Sequence, residues 1–318
     1  MWASCADRTS SIENEQGDKV DRSLALSRNG RYAAEYLGGI DDEGFAIVGV
    51  EEVRSDDVMT KGSALACTGL KLYTGFKSVL YISDDGKTLI AQQGKEFYCD
   101  GRRFTEFQVW DGVADRERGR FTHCVYAKRE WEVFDIGIHF ATDGETFYFI
   151  YNKRLDGRSK TAAHGTFRSY VERRSLDEPT EVLWRSAFDG HIHVRSLALD
   201  CSGMRGLVGM SLQGLGKPPH RMLMLDMKTG ETLKTIGDMT APAYECLLLL
   251  GDRHALVLCN GIEVGLWDVG SASDDVGRCL VTQKRVWLAG LRNSSEPGCV
   301  ESANGSRLRF EFRYKATG

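Results

Sequence analysis

The sequence predicts an all-β fold in which four-stranded antiparallel blades repeat around a β-propeller. Three observations predict it. Short apolar runs recur along the chain, glycine-containing turns join them in pairs, and no long stretch has the 3.6-residue periodicity of an amphipathic helix. Repeat folds also reach the length of this chain, 318 residues, without dividing into several domains.

The repeating unit is a pair of apolar runs joined by a tight turn. Asn-Gly and Asp-Gly between such runs are the strongest short-range signal for a β-hairpin, because both residues tolerate positive φ. The first four turn glycines are 56, 58 and 59 residues apart. Spacings of roughly 50 residues match propeller blades. The six units lie at 24–34, 79–91, 136–150, 197–210, 246–258 and 299–310, with turn glycines Gly30, Gly86, Gly144, Gly203, Gly251 and Gly305.

A third strand follows the hairpin in several units. It ends in Trp or Leu followed by Asp, at 107–111, 222–226 and 264–268. After Asp226 the segment 227–233 supplies a turn and a fourth apolar run. The unit is therefore predicted to have four strands.

These motifs resemble the WD-repeat family, whose blades end their third strand in Trp-Asp. Trp110-Asp111 and Trp267-Asp268 match that pair, and Gly190-His191 is similar to the family's Gly-His, with 33 residues between it and Leu225. The resemblance covers most of residues 22–315. It implies a propeller with degenerate repeats that binds other proteins. It also implies a hydrogen-bonded set of His, Ser/Thr, Asp and Trp in each blade, although no unit contains the whole set.

The two ends of the chain bear on how the ring closes. Five units have four plausible strands each, while the sixth, near the C-terminus, has two. Residues 1–21 could supply its missing outer strands, since a closed ring leaves no unpaired sheet edge. We predict six blades, with seven as the alternative, formed by residues 22–315 with the N-terminal segment 1–21.

Composition narrows the functional classes. A net charge of −4 gives no bulk attraction to nucleic acids or membrane surfaces. The nine cysteines are odd in number and irregularly spaced, which favours reduced thiols in the cytoplasm or nucleus. The polar N-terminus is unlike a secretory signal, and no apolar run approaches the ~20 residues that cross a bilayer. We expect a soluble protein without membrane insertion.

The run Asp189-Gly190-His191-Ile192-His193 is the most suggestive motif for a site. Strand residues two apart share a face, about 6.6 Å apart, so both histidines could reach one metal ion. Alternatively, His191 is the Gly-His residue of the resemblance, hydrogen-bonded within its blade. No further His or Cys lies at ligand spacing, so we favour this alternative and predict no metal and no other cofactor.

No sequence motif assigns a catalytic residue. The run 83–88 is similar to the sialidase Asp-box, but Gly86 directly follows Asp85, and Leu89 stands where the box has Trp. The run 142–147 departs in a similar way, so both are interpreted as hairpin turns. The chain also contains no nucleophile elbow and no phosphate-binding loop. We expect a protein that is not an enzyme. A propeller enzyme with a site in the central channel is the alternative.

One segment, 152–174, carries a local excess of positive charge. Its formal charge is +5, because it contains seven basic residues and only two acidic ones, Asp156 and Glu172. Its first part is predicted to be a long exposed loop between the second and third strands of the third unit. Such a loop could bind an acidic partner or phosphates, or be a solvated insertion. The candidate partner-binding residues are Lys153, Arg154, Arg158, Lys160, Arg173 and Arg174.

Together these patterns favour a non-catalytic scaffold for protein–protein interactions. A propeller displays variable loops on a rigid disc, and a few anchors on such loops provide affinity. The chain would act as a subunit of a multi-subunit complex or as the sensing domain of a larger chain. A nucleic-acid-contacting subunit is the remaining alternative.

Overall fold

The computed structural model describes residues 10–13, 19–22, 25–27, 31–37, 45–52, 65–73, 79–127, 131–155, 167–212, 219–239, 243–250, 254–259, 263–269, 278–284, 300–301 and 307–308. Its regular structure in these ranges consists of β-strands, which confirms the all-β prediction. None of the described residues belongs to a helix able to cross a membrane.

Most strands belong to five antiparallel meanders that follow one another along the chain. Meander 1 contains β3 (Ala25–Leu26), β4 (Tyr32–Leu37), β5 (Phe45–Glu52) and β6 (Leu65–Tyr73). Meander 2 contains β7 (Val79–Ile82), β8 (Thr88–Cys99), β9 (Arg102–Asp111) and β10 (Arg116–Ala127). Meander 3 contains β11 (Trp131–Phe140), β12 (Thr146–Arg154), β13 (Phe167–Ser175) and β14 (Val182–Asp189).

The first strand of meander 4 is split into β15 (His191–Ile192) and β16 (Ala198–Leu199), and both pieces pair with β17 (Arg205–Ser211). Two further strands complete this meander, β18 (His220–Asp226) and β19 (Thr232–Met239). Meander 5 contains β20 (Ala243–Leu250), β21 (His254–Cys259), β22 (Glu263–Asp268) and β23 (Arg278–Lys284). Near the two ends of the chain, β1 (Ser10–Glu13) pairs with β2 (Lys19–Arg22), and β24 (Val300–Glu301) pairs with β25 (Arg307–Leu308).

Each strand pairs with its neighbour in sequence, so the first and fourth strands form the two edges of a meander. Meanders 2 and 3 are joined into one eight-stranded sheet. The junction is short, because β10 and β11 pair only at Tyr126↔Glu132 and Ala127↔Trp131.

Four apolar clusters hold the five meanders together in series. Meanders 1 and 2 share a cluster that includes Val48 and Leu89, and the aromatic cluster between meanders 2 and 3 includes Phe107 and Phe149. Ile150 and Ile192 belong to the cluster between meanders 3 and 4. Met222 and Val257 belong to the one between meanders 4 and 5. Each sheet therefore buries apolar side chains against the next, which is the packing that successive propeller blades require.

The turn and strand predictions are confirmed where residues are described. Gly86, Gly144 and Gly203 have φ of 73°, 72° and 70° in the turns between first and second strands. The third strands β9, β18 and β22 end at Asp111, Asp226 and Asp268, as the sequence pattern predicted. The predicted turn glycines Gly30, Gly251 and Gly305 lie outside the described residues.

Candidate functional site

The basic segment spans the connection between β12 and β13. Lys153 and Arg154 end β12 beside this connection, whereas Arg173 and Arg174 lie near the far end of β13. In the register, Lys153 pairs with Arg168 and Tyr148 pairs with Arg173. Lys153 and Tyr148, the partner of Arg173, are five residues apart along β12, which corresponds to about 16 Å. The structure therefore does not bring Lys153 and Arg154 together with Arg173 and Arg174. Arg158 and Lys160 lie outside the described residues.

Lys153 rests on aromatic rings at the end of β12. Its Nζ lies 5.3 Å from the centre of the Tyr170 ring and 5.8 Å from that of Tyr151. Burial lowers the pKa of Lys153, and the positive charge of Arg185 adds to this effect. Such cation–π contacts fix the position of the ammonium group while leaving the side chain partly accessible.

Arg173 contacts the turn between β11 and β12 at the far end of β13. One guanidinium nitrogen lies 2.7 Å from a carboxylate oxygen of Asp143, in the turn between β11 and β12. Burial would raise the pKa of Asp143, but hydrogen bonds from Glu145 and Thr146 and the contact with Arg173 lower it. Arg173 is thus already engaged by a carboxylate of its own meander.

Arg174 belongs to a buried ionic network between meanders 2 and 3. Its guanidinium lies 2.6 Å from Glu172, a carboxylate with no exposed surface, and packs over the rings of Phe121 and Phe149. Arg185 contacts the other carboxylate oxygen at 2.6 Å, and the Tyr151 hydroxyl donates to that oxygen at 2.9 Å. Burial opposes ionisation of Glu172, but the two guanidinium groups lower its pKa below the usual range. Arg174 therefore stabilises the core in this structure.

The Gly-His segment lies at the boundary between meanders 3 and 4. His191 is buried, and its Nε2 lies 2.8 Å from Asp135 on β11 of the preceding meander. His193 bonds within its own meander, with Nε2 3.2 Å from the Ser211 hydroxyl, which lies 3.0 Å from Nδ1 of His220. A hydrogen bond within meander 4 is thus seen for His193, two residues beyond His191. His191 links two meanders.

Asn152 and Ser169 extend this polar boundary, and the sequence reasoning missed their role. Asn152 donates to the Ile192 carbonyl at 2.8 Å and accepts from the Ile192 amide at 3.0 Å. The Ser169 hydroxyl lies within hydrogen-bond distance of Asn152 Oδ1 and of the Gly190 carbonyl, and it can donate its single proton to either. An amide side chain that follows the apolar run 147–151 was the only sequence signal.

Two rings of this histidine cluster are uncharged at neutral pH. Burial lowers the pKa of His193 to about 3 and also lowers that of His220, so both rings are neutral. The Ser211 side chain has no exposed surface. Among the described residues, no group of three or more His, Cys, Asp or Glu side chains is arranged to hold a metal ion. His191 is thus a contact between meanders 3 and 4, while His193, Ser211 and His220 form a buried polar group inside meander 4.

The hairpin between β8 and β9 carries a second surface that the sequence reasoning missed. Phe97 and Tyr98 are 43% and 72% exposed, and Phe97 stacks on Phe104 with ring centres 5.4 Å apart. The turn is formed by Asp100 and Gly101 with φ of 51° and 74°. The sequence signal was another Asp-Gly turn, preceded by two aromatic residues.

Comparisons with known proteins add no family assignment. The chain matches no family model and no curated protein. Among solved structures, the chain is similar to Kuenenia stuttgartiensis hydrazine synthase, with 15% identity over 81% of this chain and 73% of that one, at a TM-score of 0.41. It is also similar to the Dos1 propeller, with 11% identity over 87% of this chain, at a TM-score of 0.44. This chain covers 62% of the Dos1 propeller chain, less than two thirds of its length.

Proposed function

We propose that the chain is a closed six-bladed β-propeller related to the WD repeats. Five meanders in series account for five blades. The two-stranded sheets β1–β2 and β24–β25 together supply four strands, the number needed for a sixth blade. An isolated two-stranded sheet is marginally stable in water, so pairing of these two sheets would stabilise both and remove the open edges. Seven blades remain the alternative.

We further propose that this propeller is a non-catalytic scaffold for protein–protein interactions in a reducing compartment, within a multi-subunit assembly. The observation that carries the proposal is that the bonded histidine and serine side chains are buried, whereas aromatic and basic side chains elsewhere are exposed. Ser211, His193 and His220 are buried and bonded to one another, whereas exposed aromatic and basic side chains lie at the strand connections. Rigid blades with exposed anchors favour binding over chemistry.

A propeller enzyme remains the second candidate, because of one pair of residues. Asp135 is 37% exposed at its side chain and bonds to the buried His191, both on first strands of adjacent meanders. A partly exposed carboxylate held by histidine is an arrangement that general-base catalysis uses. If Asp135→Asn leaves every co-purifying partner in place but abolishes an activity of the purified complex, this candidate replaces the scaffold.

Affinity purification of the intact chain tests the scaffold proposal. We expect at least one protein to co-purify in near-stoichiometric amount. The triple variant Arg154→Glu, Arg158→Glu, Lys160→Glu should lose that protein, mainly through slower association, and should melt as the parent does. The matched control reverses Lys87, Arg116 and Lys228, which are exposed at the opposite ends of the sheets. Recovery of no stoichiometric partner contradicts the scaffold, and equal losses with both triple variants contradict the role of the segment.

A further inference from the structure

Strand order places the β8–β9 turn and the β12–β13 connection at the same end of meanders 2 and 3. In an antiparallel meander, the turn between second and third strands lies at the sheet end from which the chain passes to the next meander. The register links the two connections directly, because one row of paired residues crosses all five strands: Tyr98, Arg103, Tyr126, Glu132 and Arg154. The aromatic turn therefore shares one end of the sheet with Lys153 and Arg154, the described residues that begin the basic segment, and we call this surface the β8–β13 end.

The aromatic part of the β8–β13 end lies on an extension of β8. This strand continues for seven residues beyond Gln92, the last β8 residue that pairs with β7, and the last four of them pair with β9. Stacking of Phe97 on Phe104 fixes the first exposed ring, and Tyr98 next to it is the more exposed of the two. Tyrosine is enriched among residues that dominate binding energy, because its ring offers a large contact area at low entropic cost.

The charge of the β8–β13 end is opposite to that of the whole chain. Its described residues, 96–103, 127, 131–132, 153–155 and 167–168, contain five basic and three acidic side chains, a formal +2 in a chain of net −4. Arg103 lies 3.2 Å from Glu96 and 3.7 Å from Glu132, so its single positive charge only partly offsets these two carboxylates. Arg102 is exposed and makes no ion pair with any described residue.

We propose that the β8–β13 end binds an extended acidic protein segment, with Tyr98 as the aromatic anchor and Arg102 as a charged contact. This inference rests on the proposed scaffold function and names the partner class of that surface. A protein segment fits better than a nucleic acid, because Glu96, Asp100 and Glu132 lie among the basic groups and would repel a continuous phosphate backbone. A peptide can place its carboxylates and apolar side chains individually.

A defined peptide tests the proposal on the full chain. The probe is a fluorescein-labelled peptide of about twelve residues with Asp and Glu around a central Leu, and its neutral counterpart carries Asn and Gln instead. Fluorescence anisotropy should show at least about tenfold tighter binding of the acidic peptide at low salt. Tyr98→Ala and Arg102→Ala should each weaken it about tenfold without changing the melting temperature. Leu233→Ala, at a 51% exposed residue of β19, is the matched control and should bind as the parent does.

Three outcomes overturn the proposal. One is equal binding of the acidic and neutral peptides, and another is acidic-peptide binding that Tyr98→Ala and Arg102→Ala leave unchanged. The third is tighter binding of a single-stranded oligonucleotide of equal charge that depends on Tyr98, which would identify a nucleic-acid surface instead. If stoichiometric protein partners still co-purify with Tyr98→Ala, the scaffold function stands and only its placement at the β8–β13 end is wrong.

Discussion

Polar side chains at the meander boundaries are buried and hydrogen-bonded to one another or to neighbouring backbone groups. His193, Ser211 and His220 form a chain of bonds inside meander 4, while His191 and Asn152 reach across to the neighbouring meander. Buried polar groups are costly when unpaired, so such contacts define one relative position of the sheets. Each of these residues therefore contributes to stability through its partner.

Acid should destabilise the fold through His193. Burial lowers its pKa to about 3 in the folded state, whereas the unfolded chain titrates near ~6.5. Between these values only the unfolded chain binds the proton, so stability falls as the pH falls below about 6.5, by up to ~1.4 kcal/mol per pH unit. Thermal melting from pH 7.5 to pH 4.5 measures this slope. His193→Asn should make the slope shallower, and an unchanged slope contradicts the assignment.

Removing Arg174 should destabilise the protein strongly. Arg174→Met leaves the buried Glu172 with Arg185, a side chain 52% exposed, as its cationic partner. Breaking a buried ion pair costs about 3 kcal/mol or more. Arg168→Met on the same strand is the matched control, since Arg168 forms an exposed pair with Asp189 and its loss should leave the denaturation midpoint nearly unchanged. Similar midpoints for the two variants would show that Arg174 is not a core residue.

The position of Arg174 also shows what the sequence could not reveal at this scale. Charge counting placed Arg173 and Arg174 in the basic segment, but a local count does not say which face of β13 is buried. The deciding contacts come from Phe121, on a strand far away in sequence, and from Glu172, which strand alternation places on the same face. Lys153 and Arg154, predicted to begin an exposed loop, instead form the last two residues of β12 beside the connection.

At the scale of elements, the turns were the most predictable part of the chain. Asp-Gly is a local signal with a local cause, so the turns at Gly86 and Gly144 follow from the sequence. The length of the β8–β9 hairpin was less predictable, because its Asp-Gly turn lies outside the repeating pattern. Its exposed tip became recognisable only when burial was known.

Two glycines in equivalent turns allow the cost of backbone strain to be measured separately from the cost of overpacking. Gly86 and Gly144 share a φ near 72° but differ in surroundings. An added Cβ at Gly86 would overlap the Tyr32 ring of meander 1, whereas nothing lies within 4 Å of one at Gly144. Alanine should cost about 1 kcal/mol at both sites through φ, with at least another ~1 kcal/mol at Gly86 through overpacking. Urea denaturation of both variants measures the difference, which should disappear in a Tyr32→Ser background.

A difference between Gly86→Ala and Gly144→Ala that persists without the Tyr32 ring would contradict the contact between meanders 1 and 2. Equal costs in the parent background would contradict it as well.

At the scale of the whole molecule, the repeating sequence pattern made the series of meanders predictable. It did not make the closure of the ring predictable. Five meanders and their four apolar interfaces follow from a pattern that recurs every 56 to 59 residues in the first four units. Pairing between the ends of the chain depends on contacts about 290 residues apart, for which no local signal exists. The proposed partner-binding role of the loops is equally non-local, because it depends on a second molecule.

Hydrogen–deuterium exchange of the intact chain, resolved by peptide, tests the closed six-bladed ring most directly. If β1–β2 and β24–β25 form one blade, their amides should exchange as slowly as those of meander 5, within about tenfold, because they open only with the ring. Exchange of both end sheets orders of magnitude faster than that of meanders 1 to 5 would contradict the account, since it would show two isolated hairpins and an open ring.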